Sequence, residues 1–234
     1  RAASNTAAFN AVANGSLGLL IQNRNDYELN YHDLSAANTY GMFAARYPGA
    51  LGNSLKVSLW ASSNAVAYNT LWEYSKEFNG VPGTSAYASN VMGANDEMHI
   101  IVVDEDGKFT GVADTVLEKF PYLSKASDAK NDDGSSNYYV NVINQKSRYI
   151  YMINSALDSS GVPNTATWGH TASNTTFGQG LYVFTSSLKN GADGLPTDGD
   201  IIRGYDEFAN PEAIDVSLIM TGAANTVVSK YIVD

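Results

Sequence analysis

The sequence predicts a mixed α+β fold, a strand-rich mixed sheet or sandwich flanked by short helices, on three observations. Leu55–Trp60 alternates Leu55, Val57 and Leu59 with Lys56 and Ser58, the two-residue period of a half-buried strand. Met98–Val103 is apolar on both faces, which suits a central strand, and Asp106-Gly107 just after it suits a hairpin turn. Short segments of helical period stand around these strands, one of them opened by Thr197-Asp198-Gly199-Asp200, a capping box with Asp in place of Glu. With 234 residues and 44% hydrophobic content, the chain is long enough for one large domain or two small ones and carries the apolar material for a core.

In chain order, residues 1–14 are Ala/Asn/Ser-rich and read as a short helix or a linker. A hairpin is expected across 17–32, with Asn23–Asp26 as its turn and Tyr27–His32 as its alternating second strand. Pro48-Gly49 predicts a type II turn leading into the Leu55–Trp60 strand. Asn69–Phe78 spaces Leu71, Tyr74 and Phe78 as one helix face, and 79–97 reads as loop. The hairpin partner of Met98–Val103 is expected from about Phe109 to Phe120; Val112, Val116 and Phe120 also sit at helical spacing, and the hairpin turn favours the strand. A polar loop, 128–136, leads to a helix carrying Tyr139, Val142 and Ile143, with Ser136 or Asn137 as its cap. Arg148–Ile153 and Leu181–Phe184 read as strands, separated by a Ser/Thr/Asn/Gly-rich stretch over 155–178 that reads as a long loop or an irregular hairpin. The Thr197 box opens a helix bearing Ile201, Ile202, Tyr205 and Phe208, which ends at Asn210-Pro211; Ile214–Met220 is a strand, Thr221-Gly222 turns out of it, and an amphipathic segment follows.

Composition narrows the function. Charged residues are 16% of the chain and the net charge is −10, a balance opposed to the basic face of a nucleic-acid binder. The absence of cysteine removes disulfides, thiolate metal sites and thiol nucleophiles. His32, His99 and His170 are scattered and no G-x-S-x-G, H-E-x-x-H, P-loop or G-x-G-x-x-G pattern accompanies them, so His99, set in an apolar strand, is expected to be a structural donor–acceptor. Asp104-Glu105-Asp106 fails as a calcium loop: with Gly107 at the sixth position, Val102 stands at the first. No catalytic, cofactor-binding or metal-ligating residues are expected, and the chain reads as a structural or interaction module rather than an enzyme. The 15 tyrosines, the acidic balance and the polar loops leave an extracellular glycan- or protein-binding module as the alternative. The glycosylation patterns Asn14-Gly15-Ser16 and Asn174-Thr175-Thr176 are short enough to arise by chance.

Four groups of residues, in order, carry a resemblance. Arg1-Ala2 comes first. Tyr47-Pro48-Gly49-Ala50-Leu51-Gly52-Asn53 with Leu55 and Val57 follows. Gly134-Ser135-Ser136-Asn137-Tyr138 leads to Val142-Ile143-Asn144 and Ser147-Arg148-Tyr149-Ile150. Thr197 to Gly222 contains Gly199-Asp200-Ile201, Phe208, Asp215-Val216 and Leu218-Ile219. Together they resemble the contractile tail sheath proteins of myovirus-type phages, especially the T4-like branch, over roughly residues 40–224.

The resemblance implies a protease-resistant outer piece of a sheath subunit: a linker and reduced outer insertion (1–46), a main α+β sheath domain (47–210) and the first strand of a truncated α/β inner domain (211–234). It implies a subunit of stacked hexameric rings around a rigid tube, whose contraction drives the tube through the host envelope. The implied partners are other sheath subunits, the tail tube protein, the baseplate and the tail terminator, with no nucleic acid and no membrane insertion. The implied location is the virion tail sheath, assembled in the host cytoplasm. The outermost β-barrel of the large T4-like proteins is expected to be absent or reduced to the 17–32 hairpin.

Overall fold

The structure, a computed structural model, describes residues 8–13, 18–32, 40–153, 166–179, 183–212 and 214–233. It is mixed α+β, with two antiparallel sheets and several short helices. The strands are β1 (Phe43–Ala45), β2 (Leu55–Trp60), β3 (Glu97–Asp104), β4 (Thr115–Ser124), β5 (Ile150–Met152) and β6 (Phe184–Ser187). The α-helices are α1 (Arg24–Asp26), α2 (Ala65–Leu71), α3 (Ala86–Asn90), α4 (Tyr139–Lys146), α5 (Asp198–Asp206) and α6 (Thr226–Val233). One sheet has the order β4-β3-β2-β6 and the other pairs β1 with β5.

The β2–β3 ladder sets Val57 opposite Val102 and Leu59 opposite Ile100. Those four side chains point to one face, where Phe43 of β1, Ile150 and Met152 of β5, and Tyr139, Val142 and Ile143 of α4 complete the main core. Trp60, Ile101 and Val103 point the other way and are covered by Tyr68, Trp72 and Tyr74. The sheet is therefore packed on both faces, which is why β3 reads as an unbroken apolar run. Each fully buried aliphatic or aromatic side chain contributes roughly 1.5–3 kcal/mol in transfer free energy.

Residues 9–13 run between the two sheets. Phe9 exchanges backbone hydrogen bonds with Ala192, and Val12 with Lys189; on the other side Ala45 donates to Ala11 and Ala13 donates to Phe43. Asn10 is buried, its amide nitrogen donating to the Ala45 carbonyl at 2.8 Å and its oxygen accepting from the Ile21 N–H at 2.7 Å. These bonds keep its side chain satisfied away from water.

Several expectations are corrected. Across the predicted 17–32 hairpin, α1 continues as a π-helical turn over Tyr27–Tyr31, and Asn23 caps it by accepting from the Asp26 N–H; Tyr27 is buried by stacking on Tyr151 at 4.3 Å, so burial of one aromatic rather than alternation governs the segment. Leu17 and most of residues 1–14 lie outside the described residues. Gly49 has positive φ as expected, but its ψ of 161° at φ 131° is far from that of a type II turn, and it leads into a 3-10 turn, Ala50–Ser54.

The helix expected over Asn69–Phe78 starts earlier. Asn64 accepts from the Ala67 N–H, α2 ends at Leu71, and a separate 3-10 turn covers Ser75–Glu77. Leu71 consequently faces solvent while Tyr68 and Trp72 face the sheet. The 79–97 loop contains α3, capped by Ser85. α4 has Tyr138 at its N-cap, with no side-chain cap bond; the Ser136 hydroxyl instead accepts from the Asn141 amide.

β3 and β4 form the expected antiparallel pair, but their connection spans residues 105–114 and the partner starts at Thr115 instead of Phe109. The Asp104 carboxylate causes this. It is fully buried, accepts from the Ser54 hydroxyl at 2.6 Å, and draws the Phe109 and Thr110 N–H groups onto itself at 2.9 and 2.8 Å.

Leu181 and Tyr182 lie outside the described residues and β6 begins at Phe184. The Thr197 capping box forms as predicted, although α5 ends at Asp206, before Asn210-Pro211. Ile214–Met220 forms no strand: the predicted first strand of an inner domain has no ladder partner among the described residues, and its side chains are exposed. Gly222 turns the chain at φ 57° into α6.

Candidate functional site

The buried polar groups of the sheet body come first, since they are where chemistry would be sought. β4 carries Pro121, which has no N–H, and the ladder steps from Ile100–Phe120 to Met98–Leu123, so that one residue, His99, faces two. Tyr122 takes φ 51° and donates its N–H to His99 Nδ1 at 3.0 Å. Because Nδ1 accepts, Nε2 carries the proton and donates to the Gly80 carbonyl at 2.8 Å. Phe78 stacks on the ring at 4.3 Å and Tyr122 meets it edge-on at 4.5 Å. Burial pushes the His99 pKa below the ordinary histidine range, against the opposing effect of its backbone hydrogen bonds. His99 is the structural donor–acceptor expected from sequence, and it bridges a bulge that a proline would otherwise leave unpaired.

Lys125, directly after β4, is fully buried. Its Nζ donates to the Ala61 carbonyl at 2.7 Å and the Asn95 carbonyl at 2.8 Å and lies 5.5 Å from the centroid of the Trp168 ring. Burial pushes its pKa down to about 7, opposed by the negative charges of Asp96 and Glu97. Asp96 is also buried, and its carboxylate accepts from the Ser85 N–H, the Ser85 hydroxyl and the Ser124 hydroxyl at 2.8, 2.8 and 2.6 Å. Glu97 accepts from the Gly83 N–H at 2.8 Å, and burial raises its pKa. An amine near neutrality beside carboxylates is a pattern found in catalytic sites. Here two carbonyls and an indole face surround the ammonium in the interior, so the arrangement ties Ala61, Asn95 and the Trp168 loop to the end of the sheet. No residue signal in the sequence marked Lys125.

His32 closes the π-helical turn and His170 is exposed; neither is drawn to His99. Among the described residues no group of three or more His, Asp or Glu is arranged to hold a metal ion, and no helix is long and apolar enough to cross a membrane. Tyr27, Tyr68, Tyr74, Tyr139 and Tyr151 are buried, so these tyrosines pack the interior instead of lining a binding surface.

Two surfaces stand open. The first is the stretch 198–233, where α5 and α6 pack on each other and are tied by Asn225 to Asp198 at 2.7 Å and by the Tyr231 hydroxyl to Asp206. Tyr205 and Phe208, together with Ile214–Met220, line an open groove of about 400 Å³. Leu218 and Met220 are 78% and 85% exposed. None of the backbone amides of 215–220 makes a backbone hydrogen bond among the described residues. The apolar side chains of this segment are thus uncovered among the described residues.

The second is a cleft of about 90 Å³ lined by residues that include Ala45, Leu55, Tyr47, Phe109, Tyr149 and Arg148. Phe109 and Tyr149 meet edge-to-face at 5.3 Å. The Arg148 backbone N–H donates to Glu118 at 2.8 Å, but its guanidinium makes no hydrogen bond or ion pair among the described residues. Arg46 lies in the same neighbourhood with its guanidinium committed to the Ser147 and Asn144 carbonyls and to the face of Tyr151.

Over 109 residues, 47% of its length, the chain is 32% identical to the tail sheath protein of Salmonella phage ViI. The matched stretch is 14% of that protein's length. No family model matches the chain.

Proposed function

We propose that the chain is part of a phage tail sheath subunit and that its role is mechanical rather than catalytic. The observation that carries this reading is the 32% identity over 109 residues to a protein described as a tail sheath, together with the ordered motifs at Tyr47–Val57, Gly134–Ile150 and Thr197–Gly222. On this reading the subunits surround a tail tube as helically stacked rings, meet a baseplate and a terminator at the two ends, and contract to drive the tube through the host envelope. The work of contraction comes from contacts between subunits. Burial of about 500 Å² more per subunit in the contracted state would supply on the order of 12 kcal/mol as an upper bound, without nucleotide hydrolysis.

Electron microscopy tests this directly. Antibodies raised against the 234-residue chain are expected to decorate the tails of the source virions along their length, in extended and contracted particles alike. Labelling confined to the capsid, the tail fibres or the baseplate, or no labelling of virions, overturns the reading.

A further inference from the structure

We propose that Asn79 deamidates spontaneously in the folded chain, and that the isoaspartyl product breaks the hydrogen bond that holds His99. The inference stands on local chemistry and does not depend on the sheath reading.

The chain has three Asn-Gly pairs, Asn14-Gly15, Asn79-Gly80 and Asn190-Gly191. In this dipeptide no side chain shields the glycine amide. Its nitrogen, having lost its proton to base, attacks the asparagine Cγ; ammonia leaves and a cyclic succinimide forms. Water then opens the ring at either carbonyl. One opening gives aspartate. The other gives isoaspartate, in which the main chain runs through Cβ and Cγ and is longer by one methylene. The step requires an asparagine side chain that can swing over the glycine nitrogen, and a glycine N–H that is not held elsewhere.

Asn14 lies outside the described residues. The other two pairs form a matched contrast, with the asparagine exposed and the glycine half-buried in both. Gly191 is clamped. Its N–H donates to Asn53 Oδ1 at 2.7 Å and its carbonyl accepts from Asn53 Nδ2 at 2.9 Å. The Gly49 carbonyl would stand 2.5 Å from a Cβ added at Gly191, so the backbone there is packed as well as bonded. Gly80 is held by its carbonyl, which accepts from His99 Nε2 at 2.8 Å. Its N–H and the Asn79 side chain make no hydrogen bond among the described residues. The two pairs thus share sequence and exposure and differ in whether the attacking nitrogen is tied down.

The bond to His99 gives the modification a consequence. Isoaspartate at 79 lengthens the main chain directly before Gly80 and displaces its carbonyl from the buried imidazole. His99 is then left with an unpaired Nε2–H beside the bulge that it bridges, the costly state of a buried donor.

The test is incubation of the chain in mildly alkaline buffer, native and in guanidinium chloride, with peptide mapping by mass spectrometry to locate the amide-to-acid mass increase. In the unfolded chain Asn79 and Asn190 are expected to react at comparable rates. In the folded chain Asn79 should react faster than Asn190 by about tenfold or more, because both Asn53 bonds must break before Gly191 can attack. Asn53→Ala should raise the rate at Asn190 and leave that at Asn79 unchanged. Gly80→Ala should suppress reaction at Asn79; Gly80 does not have positive φ, and its new Cβ would meet the Tyr122 hydroxyl at 3.1 Å, a contact that the tip of a tyrosine relieves by a small shift. Separated by ion exchange, the isoaspartyl form should melt below the parent and below Asn79→Asp, which carries the same charge on an unaltered main chain. An Asn79 that reacts no faster than Asn190 in the folded chain, or an isoaspartyl form that melts with Asn79→Asp, overturns the proposal.

Discussion

The sheet body and the stretch 198–233 handle polarity in opposite ways. In the body, Lys125, Asp96, His99 and Asp104 are fully buried, and each is hydrogen-bonded to backbone groups or to serine and threonine hydroxyls. In 198–233, Leu218, Met220 and Val233 are 78%, 85% and 83% exposed, and Val228 is the one described residue there that is fully buried. The body is a packed interior in which these four buried polar groups are tolerated because each is paired, while the buried Tyr74 hydroxyl makes no hydrogen bond among the described residues. The second region shows an unfinished one, whose apolar residues have no partner among the described residues. Substitutions should therefore register strongly as stability in the first region and only weakly in the second.

The largest expected effect is in the main core. Ile100→Ala, opposite Leu59 and packed among Met98, Val57 and α4, should lower unfolding free energy by about 2–5 kcal/mol, read by urea denaturation. A loss no greater than that of Leu218→Ala would break the comparison.

Lys125→Met comes next. It leaves the Ala61 and Asn95 carbonyls without their donor and should cost about 1–3 kcal/mol at pH 9, where the parent lysine is mostly neutral. Its pH signature is sharper than its size. The folded-state pKa is depressed from 10.5 to about 7, so between those values the unfolded chain binds more protons and stability rises with pH, by at most about 1.4 kcal/mol per unit. The rise should stop near pH 10, where Tyr27 and Tyr68, whose folded-state pKa values burial raises, begin to favour the unfolded chain. Denaturation curves at pH 7, 8 and 9 should show the rise in the parent and lose it in Lys125→Met.

The two helix caps sharpen the comparison at smaller magnitude. Asn64→Ala and Thr197→Ala each remove a side-chain acceptor from a helix start and should each cost about 1 kcal/mol locally. The first should shift the global melt. The second should chiefly accelerate hydrogen exchange in α5 and leave the β3 amides unchanged. Last, Leu218→Ser with Met220→Ser should change stability by less than about 0.5 kcal/mol while reducing binding of a hydrophobic dye. A global loss of several kcal/mol would show that this segment already belongs to a closed core.

What was legible in the sequence follows the same division. β2 and β3 were readable because burial on one face or both writes itself into apolar period. The Thr197 box was readable because its bonds lie within four residues. α2 was misplaced because the aromatic residues Tyr68 and Trp72, packed on the far face of the sheet, outweigh the spacing of Leu71, Tyr74 and Phe78. The β3–β4 connection was read too short because Asp104 gathers amides that local turn geometry alone would not place. Ile214–Met220 has the alternation of a strand, but a strand needs an edge to pair with, and sequence period cannot supply one. Lys125 was invisible, since its burial depends on Ala61, Asn95 and Trp168, remote in sequence.

The antiparallel pairing of residues 9–12 with 189–192 has a mechanical consequence. Phe9 lies against Ala192 and Val12 against Lys189, so the chain before the body and the chain after it leave from the same end of one seam. A load pulling those two exits apart does not shear the seam, with all of its bonds strained together. It peels the seam, loading the Phe9–Ala192 pair first and the Val12–Lys189 pair after it. Tension between the flanking chains is thus taken up first at this end of the seam, together with the bonds of Gly49, Ala50 and Asn53 to Phe9, Asp193 and Gly191 beside it.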